Sequence, residues 1–297
     1  MSAHRKGVAA LGLIGLMAVT AGCDAAPAEG PAPRNTSVRA APAASAEARE
    51  LLLPFDTYKI SKADDYLIAA AEDVLMKGCL EARGVRWSPR APVGAAEMDP
   101  PNRRRYGVIE EAVAREFGFH APPEAEAEVR FTTARQRRSA SLSDSEVRAA
   151  YGSTGTGGCW GKAHEELRDG VAESDYDVLN KYSRKSFEDS QRDGEVRAVF
   201  RSWSACMAKS GFRYRDPVAV VNDPRWSASP SPSDHEIKVA LADVRCKEET
   251  GVVAVWSAVE TRIQRDIVTA DAASFRALKA TKKAWLASAR RALESTP

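Results

Sequence analysis

Apolar residues recur along most of this chain at the three- and four-residue spacing of amphipathic helices. The pattern is clear after Ser61, a residue suited to cap a helix. The apolar positions of that helix are Tyr66, Leu67, Ala70, Val74 and Leu75. Runs of β-branched residues are few, and residues 218–221 are the best strand candidate. The pattern therefore predicts a mostly α fold.

Capping signals indicate where further helices begin and end. Ser143 with Glu146, and Ser233 with Glu236, have the spacing of capping boxes, in which the two side chains satisfy each other's backbone N–H groups. Glycines that can end helices in a left-handed conformation are Gly118, Gly211 and Gly251. These signals predict several helices joined by short loops.

The C-terminal segment, residues 252–296, contains neither glycine nor proline and carries an apolar stripe. The stripe consists of Val252, Trp256, Val259, Ile263, Ile267, Phe275, Leu278, Trp285 and Leu293. A single helix of this length would extend about 65 Å. We therefore expect a long C-terminal helix with a break near Asp271.

One pattern occurs twice in the chain. Residues 79–87 and 206–214 each begin with a cysteine near a predicted helix end, followed by a glycine, an apolar residue and an aromatic residue at the same spacings. A capped helix with another cysteine follows each copy. A duplication predicts this order, but helices that end in glycine are common enough for a chance match. The pattern suggests two helical halves, 50–170 and 171–297.

Four cysteines in these halves allow three disulfide pairings. The repeat favours Cys79–Cys159 and Cys206–Cys246, with one bridge inside each half. The competing interpretation is a zinc site with four thiolate ligands. Such sites usually pair cysteines two to four residues apart, whereas the nearest two here are 40 residues apart. Structural disulfides are therefore the preferred prediction, and no metal site is predicted.

Residues 1–22 have the features of an export signal. A short basic start precedes the uncharged apolar run 7–19, which is too short to span a membrane comfortably. The following residues resemble the lipobox of bacterial lipoproteins, with Thr20 where leucine is usual. We therefore predict cleavage before Cys23 and lipidation of its thiol. The alternative is an ordinary secreted protein that is cut near Ala21.

Residues 23–49 are rich in alanine, proline and serine and lack a periodic apolar face. Such a segment cannot bury enough surface to order itself, so it predicts a disordered tether. A lipid on Cys23 would hold the chain on the outer face of the cytoplasmic membrane. No later segment has the length and apolarity of a membrane span.

The charge balance argues against nucleic acid as a partner. The chain has 43 Lys and Arg against 41 Asp and Glu, and the two basic residues of the signal leave with it. The mature chain therefore has no net charge. The arginine clusters at 103–105 and at Arg135, Arg137 and Arg138 have acidic neighbours. They are typical of solvated faces, and a phosphate or lipid-headgroup site is the alternative.

Two segments of this chain resemble catalytic motifs, but each lacks a residue that the motif requires. His164 and Glu165 begin like a zinc-protease H-E-x-x-H helix, but Arg168 stands where the second histidine must be. The glycine-rich segment 155–163 lacks the first glycine and the hydroxyl of a phosphate loop. Neighbouring acids such as those at 64–65 leave glycosidase chemistry open. The sequence predicts no cofactor and favours a protein that is not an enzyme.

Two tryptophans are candidates for a ligand or partner surface. Trp87 and Trp226 lie in proline-rich loops, where we expect them to be exposed. The ordinary alternative is that they close a small helical core beside the disulfides.

Four motifs resemble those of a group of uncharacterised actinobacterial (Streptomyces-type) lipoproteins. They read LPFD-x-Y from Leu53, NRRRYG from Asn102, GGCWG from Gly157 and ADV-x-CK from Ala242. The resemblance covers most of residues 51–285. It implies no activity, and members look as though they accompany envelope transporters.

These observations together predict a membrane-tethered, extracytoplasmic lipoprotein that acts as a binding or accessory component of the cell envelope. Its expected partners are the membrane, through the lipid, and an envelope protein or transporter, for example an ABC-type exporter. The alternative is an extracytoplasmic hydrolase that acts on cell-wall material.

Overall fold

The mostly helical class predicted from the sequence is confirmed by a computed structural model, which describes residues 41–295. The α-helices of this part of the chain are α1 (Ala46–Glu50), α2 (Lys62–Glu81), α3 (Glu111–Phe117), α4 (Glu126–Ser141), α5 (Asp144–Tyr151), α6 (Gly158–Arg168), α7 (Tyr176–Arg192), α8 (Gly194–Lys209), α9 (Pro217–Val221), α10 (Asp234–Thr250), α11 (Val252–Ala270) and α12 (Ala272–Glu294). Short 3₁₀ turns cover Pro54–Thr57, Ala95–Glu97 and Pro224–Ala228. No β-strand occurs among the described residues.

The predicted capping signals begin helices as expected, with one difference. Ser61 caps α2, and its hydroxyl accepts a hydrogen bond from the Asp64 N–H while Asp64 accepts from the Ser61 N–H. Ser143 and Glu146 form the same box at α5, but this helix ends at Tyr151. Cys159 therefore lies on the next helix, α6, and the prediction that the helix opened by Ser143 carries it is wrong. Ser233 also caps α10. The carboxylate of Glu236 does not complete this third box, because it bonds a distant loop instead.

The C-terminal segment breaks where the sequence predicted. Helix α11 ends at Ala270, Asp271 leaves the helical conformation with φ −118°, and α12 runs from Ala272 to Glu294. The break lets α12 pack against α2 and α6. The predicted long C-terminal helix is therefore present as α12.

The predicted strand at residues 218–221 is wrong, because these residues form helix α9. Pro217 occupies the first turn, where a missing N–H costs nothing. The Asp216 side chain caps the helix by accepting from the Ala219 N–H at 2.7 Å. Start signals of this kind outweigh the weak strand preference of β-branched residues.

Both predicted disulfides are present. Cys79–Cys159 joins the end of α2 to the start of α6, and Cys206–Cys246 joins α8 to α10, with Cα–Cα distances of 5.8 and 5.7 Å. These distances lie in the ordinary range for a disulfide. Each bridge thus ties together two packed helices.

The two copies of the cysteine–glycine pattern have the same local geometry. In the first copy the Val85 N–H donates to the Leu80 carbonyl, and in the second the Phe212 N–H donates to the Met207 carbonyl, both at 2.9 Å. The intervening glycines have positive φ values of 75° and 88°. The repeated sequence therefore encodes one helix-ending turn twice.

Segments of the two predicted halves share one core. The described residues, 41–295, all belong to a single compact unit. Its largest apolar cluster combines Tyr106 and Val113 with Trp203, Val239 and Trp256. The structure thus packs the halves on each other, and their origin by duplication stays a prediction.

The predicted tether ends earlier than residue 49. Helix α1 is capped by the Ser45 hydroxyl and buries Ala48 completely. Arg103 donates to the Pro42 carbonyl at 2.8 Å, and the Ser45 N–H donates to Glu110 at 2.6 Å. These contacts with a distant segment order residues that have no apolar periodicity of their own.

Membrane attachment was predicted for a part of the chain that is not described. The predicted signal, Cys23 and residues up to 40 lie outside the described residues. Between residues 41 and 295, no helix combines the length and apolarity needed to cross a membrane.

The turn before α6 requires glycine at residue 158. Gly158 has φ 63°, and a Cβ there would lie 2.6 Å from the Ala149 carbonyl oxygen and 2.7 Å from the Gly152 nitrogen. We expect Gly158→Ala to lower the free energy of unfolding by about 1–3 kcal/mol, because both conformation and space oppose a side chain. Denaturant unfolding measures this loss.

A matched control separates the cost of the backbone conformation from the cost of the steric clash. Gly155 also has a positive φ, 82°, but a Cβ there would meet nothing within 4 Å. Gly155→Ala should therefore cost only the conformational part, about 1 kcal/mol. Equal losses for the two variants would contradict the steric argument at Gly158.

Candidate binding cleft

Two of the motifs noted in the sequence meet at the start of α2. The Asn102 side-chain amide donates to the Leu51 carbonyl at 3.0 Å and to the Asp56 carboxylate at 2.6 Å. Asp56 also accepts from the Leu53 N–H at 2.8 Å. These bonds hold the turn that contains Pro100 and Pro101 beside α2 and form one wall of a cleft.

A second wall contains Ala121, Pro122 and Pro123. The segment 119–123, to which they belong, is held from two sides. Arg104 donates to the carbonyls of Phe119 and His120 at 2.8 and 2.9 Å. The carboxylate of Glu236 accepts from the Phe119 N–H and bonds His120 Nδ1, both at 2.8 Å. Glu236 was predicted to cap α10, and it instead fixes this wall from more than 100 residues away.

The cleft between these walls has a volume of about 480 Å³. A neighbouring hollow of about 240 Å³ shares Ser61, Lys62 and the proline turn with it. A volume of this size lies in the range of small-molecule sites. Prolines and alanine supply apolar surface on both walls, so the charged groups decide what the cleft can recognise.

The carboxylates of the cleft are already engaged. Asp56 bonds Asn102, and Asp99 accepts from Arg103 at 2.6 Å. Glu124 and Glu128 both bond Lys62, the second with only 3% of its side chain exposed. None of the four is therefore free to act alone on a ligand.

Two cations of the cleft have no acidic partner among the described residues. The Lys59 ammonium donates only to the Ser183 hydroxyl, at 3.2 Å. Burial lowers the pKa of Lys59, and the charge of Arg105 adds to that effect while Asp56 opposes it. Arg104 bonds only backbone carbonyls, and burial lowers its pKa as well. Neither cation is therefore in a direct ion pair, although the charges of Asp56 and Glu260 act on Lys59 and that of Glu110 acts on Arg104. The lining as a whole has three basic side chains and four carboxylates, so the cleft has mixed charge in which these two cations can still bond a ligand.

A buried polar network behind the cleft anchors the same motifs. Glu260 is fully buried and bonds Arg105, the Tyr106 hydroxyl at 2.9 Å and the Ser186 hydroxyl at 2.9 Å. Gln264, one turn later on α11, donates to Glu260 and accepts from the backbone N–H of Phe55. Burial raises the pKa of Tyr106 far above its ordinary value. These motif residues thus position the cleft and do not line it.

The expected exposure of Trp87 and Trp226 is wrong. Their side chains lie in different apolar clusters and are only 4% and 7% exposed. Trp226 stacks on Phe119 and donates to the Val220 carbonyl at 2.6 Å. Trp87 lies beneath the Arg138 guanidinium. Burial beside the helices outweighs the loop composition, and the two side chains form no common surface.

His164, the histidine of the incomplete H-E-x-x-H pattern, has a carboxylate partner. His164 Nδ1 bonds Glu72 at 2.8 Å, and the Trp160 N–H donates to the other oxygen of Glu72 at 2.9 Å. The Trp160 and His164 rings stack with centroids 4.9 Å apart. Within residues 41–295, no three His, Cys, Asp or Glu side chains are grouped to hold a metal ion.

Sequence reasoning missed Lys59, although it lies next to the LPFD motif. Lys59 and Arg104 are more than 40 residues apart, and no periodicity relates them. The sequence predicted a solvated face for the arginines at 103–105, and this is wrong: Arg103 is buried, and Arg104 donates to two backbone carbonyls. The cleft arises only from the tertiary packing of three loops.

No protein-family model matches this chain, and neither the curated proteins nor the solved structures contain a significant match to it.

His120 gives the cleft wall a pH dependence. The Ser229 carbonyl, which bonds Nε2, raises the pKa of His120; partial burial opposes the shift, and Glu236 adds to it. A raised pKa means that the charged ring stabilises the folded state fully below its unfolded value of 6.5 and loses this effect as pH rises through the folded pKa.

We therefore expect the stability difference between the native chain and His120→Gln to be larger at pH 6 than at pH 9. Melting temperatures of both proteins at the two pH values measure it. A difference that does not change with pH would contradict the proposed charge on His120.

Proposed function

We propose that this chain is a lipid-anchored, extracytoplasmic binding protein of the cell envelope. In this proposal Cys23 carries the lipid on the outer face of the cytoplasmic membrane. The cleft between the proline turn and segment 119–123 receives an acidic group of an envelope partner, for example an ABC-type exporter. We also propose that the chain is related to the actinobacterial lipoproteins whose motifs it resembles.

One observation carries the binding part of the proposal. Lys59 and Arg104 face the cleft without an acidic partner among the described residues, while its four carboxylates are all bonded. This arrangement offers a negatively charged group two cations that are not already in ion pairs. It also favours binding over hydrolysis, because a general acid or base must be free to exchange a proton with its substrate.

The disulfides support the extracytoplasmic part. Four cysteines, each on a different helix, form two covalent pairs. Such bonds persist in oxidising compartments and are rare where thiols are kept reduced. The sequence features of residues 1–23 point to the same side of the membrane.

The binding proposal is tested with a photo-reactive amino acid placed at Ala121, an exposed residue of the cleft. Illumination of intact cells should give a cross-linked product with one defined envelope component. The same label at Ala254, which is exposed on α11 away from the cleft, is the matched control and should not give it.

Lys59→Gln should abolish the product from Ala121 while the protein level stays the same. This substitution removes the charge and keeps a group that can bond Ser183. Identical products from both labelled positions, or a product that survives Lys59→Gln, would contradict binding at the cleft.

A further inference from the structure

A second cationic site lies beside the middle of α2 and the last turn of α4. Two arginines share a single carboxylate there: Arg138 bonds both oxygens of Asp73 at 2.9 and 3.0 Å, and Arg90 bonds one of them through Nε. The three side chains are 13%, 11% and 3% exposed. Neither guanidinium bonds another acidic side chain in the described part of the protein. The group therefore holds one uncompensated positive charge in a largely buried place.

The same group contains three buried donors without an acceptor. Trp87 Nε1, Arg90 Nη1 and Arg138 Nε have no hydrogen-bond partner among residues 41–295. Folded proteins satisfy nearly all such groups, because a buried donor without a partner costs the free energy of its lost hydration. Three such donors in one cluster indicate that a hydrogen-bond acceptor is missing from the group.

Aromatic rings hold both guanidiniums in place. The Arg138 guanidinium lies 3.8 Å from the centroid of the Trp87 ring, and the Arg90 guanidinium lies 4.2 Å from that of Phe131. Each cation therefore has an aromatic ring on one face and Asp73 at its edge. This packing fixes the orientation of both guanidiniums before any ligand binds.

The chemistry of the donors indicates what would complete the site. Indole and guanidinium N–H groups can only donate, so the missing group must accept hydrogen bonds. A water molecule would accept them but would leave the charge uncompensated. A phosphate group offers several acceptor oxygens together with negative charge, and arginine suits it in particular.

We propose that Trp87, Arg90 and Arg138 form a binding site for a phosphate group. The two arginine side chains are 11% and 13% exposed, so the edge of the cluster reaches solvent, while the three unpaired donor atoms themselves are buried. The site is separate from the cleft, since Asp73 lies about 16 Å further along α2 than Lys62. It does not depend on the proposed function of the cleft or on the lipid.

Inorganic phosphate is the probe for this site. We expect it to raise the melting temperature of the full-length protein in a neutral detergent, and the rise should saturate. Sodium chloride of matched ionic strength should give no saturable rise. Glycerophosphoglycerol, a phosphodiester, distinguishes the possible sources of the phosphate group. If it competes with inorganic phosphate for the site, the ligand is a lipid headgroup or a phosphodiester polymer. If it does not compete, the ligand is free phosphate or a phosphate monoester.

Trp87→Phe removes one donor and keeps an aromatic ring under Arg138. It should weaken phosphate binding about tenfold or more, since hydrogen bonds to charged groups are strong. Trp285→Phe is the matched control, because Trp285 also has a buried Nε1 without a partner and a guanidinium, that of Arg168, over its ring. It should leave phosphate binding unchanged.

Arg138→Lys provides a second test if Trp87→Phe folds poorly. It keeps the positive charge and removes the free Nε, so phosphate binding should weaken here too. An equal rise with sodium chloride, or the same saturation curve for the native chain and Arg138→Lys, would overturn the proposal.

Discussion

Replacing Lys247 with methionine is expected to lower the free energy of unfolding by about 3–5 kcal/mol. Lys247 and Asp243 form an ion pair at 2.8 Å on α10, and both side chains are almost completely buried. Lys247 also donates to the Val108 carbonyl, and the Trp203 N–H donates to Asp243. Methionine would leave Asp243 as a buried charge without its cation. Urea unfolding at pH 7 measures the loss.

The size of this loss should depend on pH. Burial raises the pKa of Asp243 even with Lys247 present, although the ammonium opposes the shift. Without the ammonium the pKa rises further, so the folded variant binds a proton more tightly than the unfolded chain does. Stability of the variant then falls as pH rises above the unfolded value of about 3.9. We expect a smaller loss from Lys247→Met at pH 5 than at pH 8.

The double variant Asp243→Leu with Lys247→Met is the control for this prediction. It removes both charges together, and apolar pairs of similar volume often replace buried ion pairs at little cost. The double variant should therefore be more stable than Lys247→Met alone. A double variant that is less stable, or a loss independent of pH, would show that the lysine acts through packing rather than through charge.

Loss of either disulfide is the second large effect that we expect. Cys206→Ala with Cys246→Ala opens a loop of 40 residues, and Cys79→Ala with Cys159→Ala opens one of 80. Each change should lower the free energy of unfolding by about 4 kcal/mol, mainly because the unfolded chain gains freedom. The longer loop should cost about 0.6 kcal/mol more. Thermal unfolding of both double variants measures these values.

Chemical reduction is the matched control for the disulfides. A thiol reductant should lower the melting temperature of the native chain by the combined effect of both variants. Each double variant should then lose only the contribution of its remaining bridge. A native chain whose melting temperature does not respond to reductant would contradict structural disulfides.

The sequence predicted those features whose causes are local. Ser61, the predicted cap of α2, makes its capping bond within one turn of helix, and the break at Asp271 follows from the length of an unbroken apolar stripe. The disulfide pairs were also predicted, because the repeat relates each cysteine to a second one in the same half.

Features that depend on distant contacts were not predictable from local patterns. Glu236 has the spacing of a capping residue, but its carboxylate bonds the wall at Phe119. The tether appeared to extend to residue 49 because Arg103 and Glu110, which hold its last residues, lie far along the chain. Trp87 was predicted to be exposed because no sequence signal shows that Arg138 covers its ring.

The candidate cleft also depends on contacts between residues that are distant in the sequence. Its motifs marked Asp56, Asn102 and Arg104 as notable, but only the fold brings Lys59 and the segment 119–123 beside them. Whether a charge is compensated depends on these neighbours, so the binding proposal could not be made from the sequence alone.

Mass spectrometry of the amino-terminal peptide of the native protein tests the central claim most directly. The account predicts that the chain begins at Cys23 and that this residue carries acyl chains. An intact start at Met1, or a chain cut near Ala21 with a free thiol on Cys23, would contradict membrane attachment through a lipid.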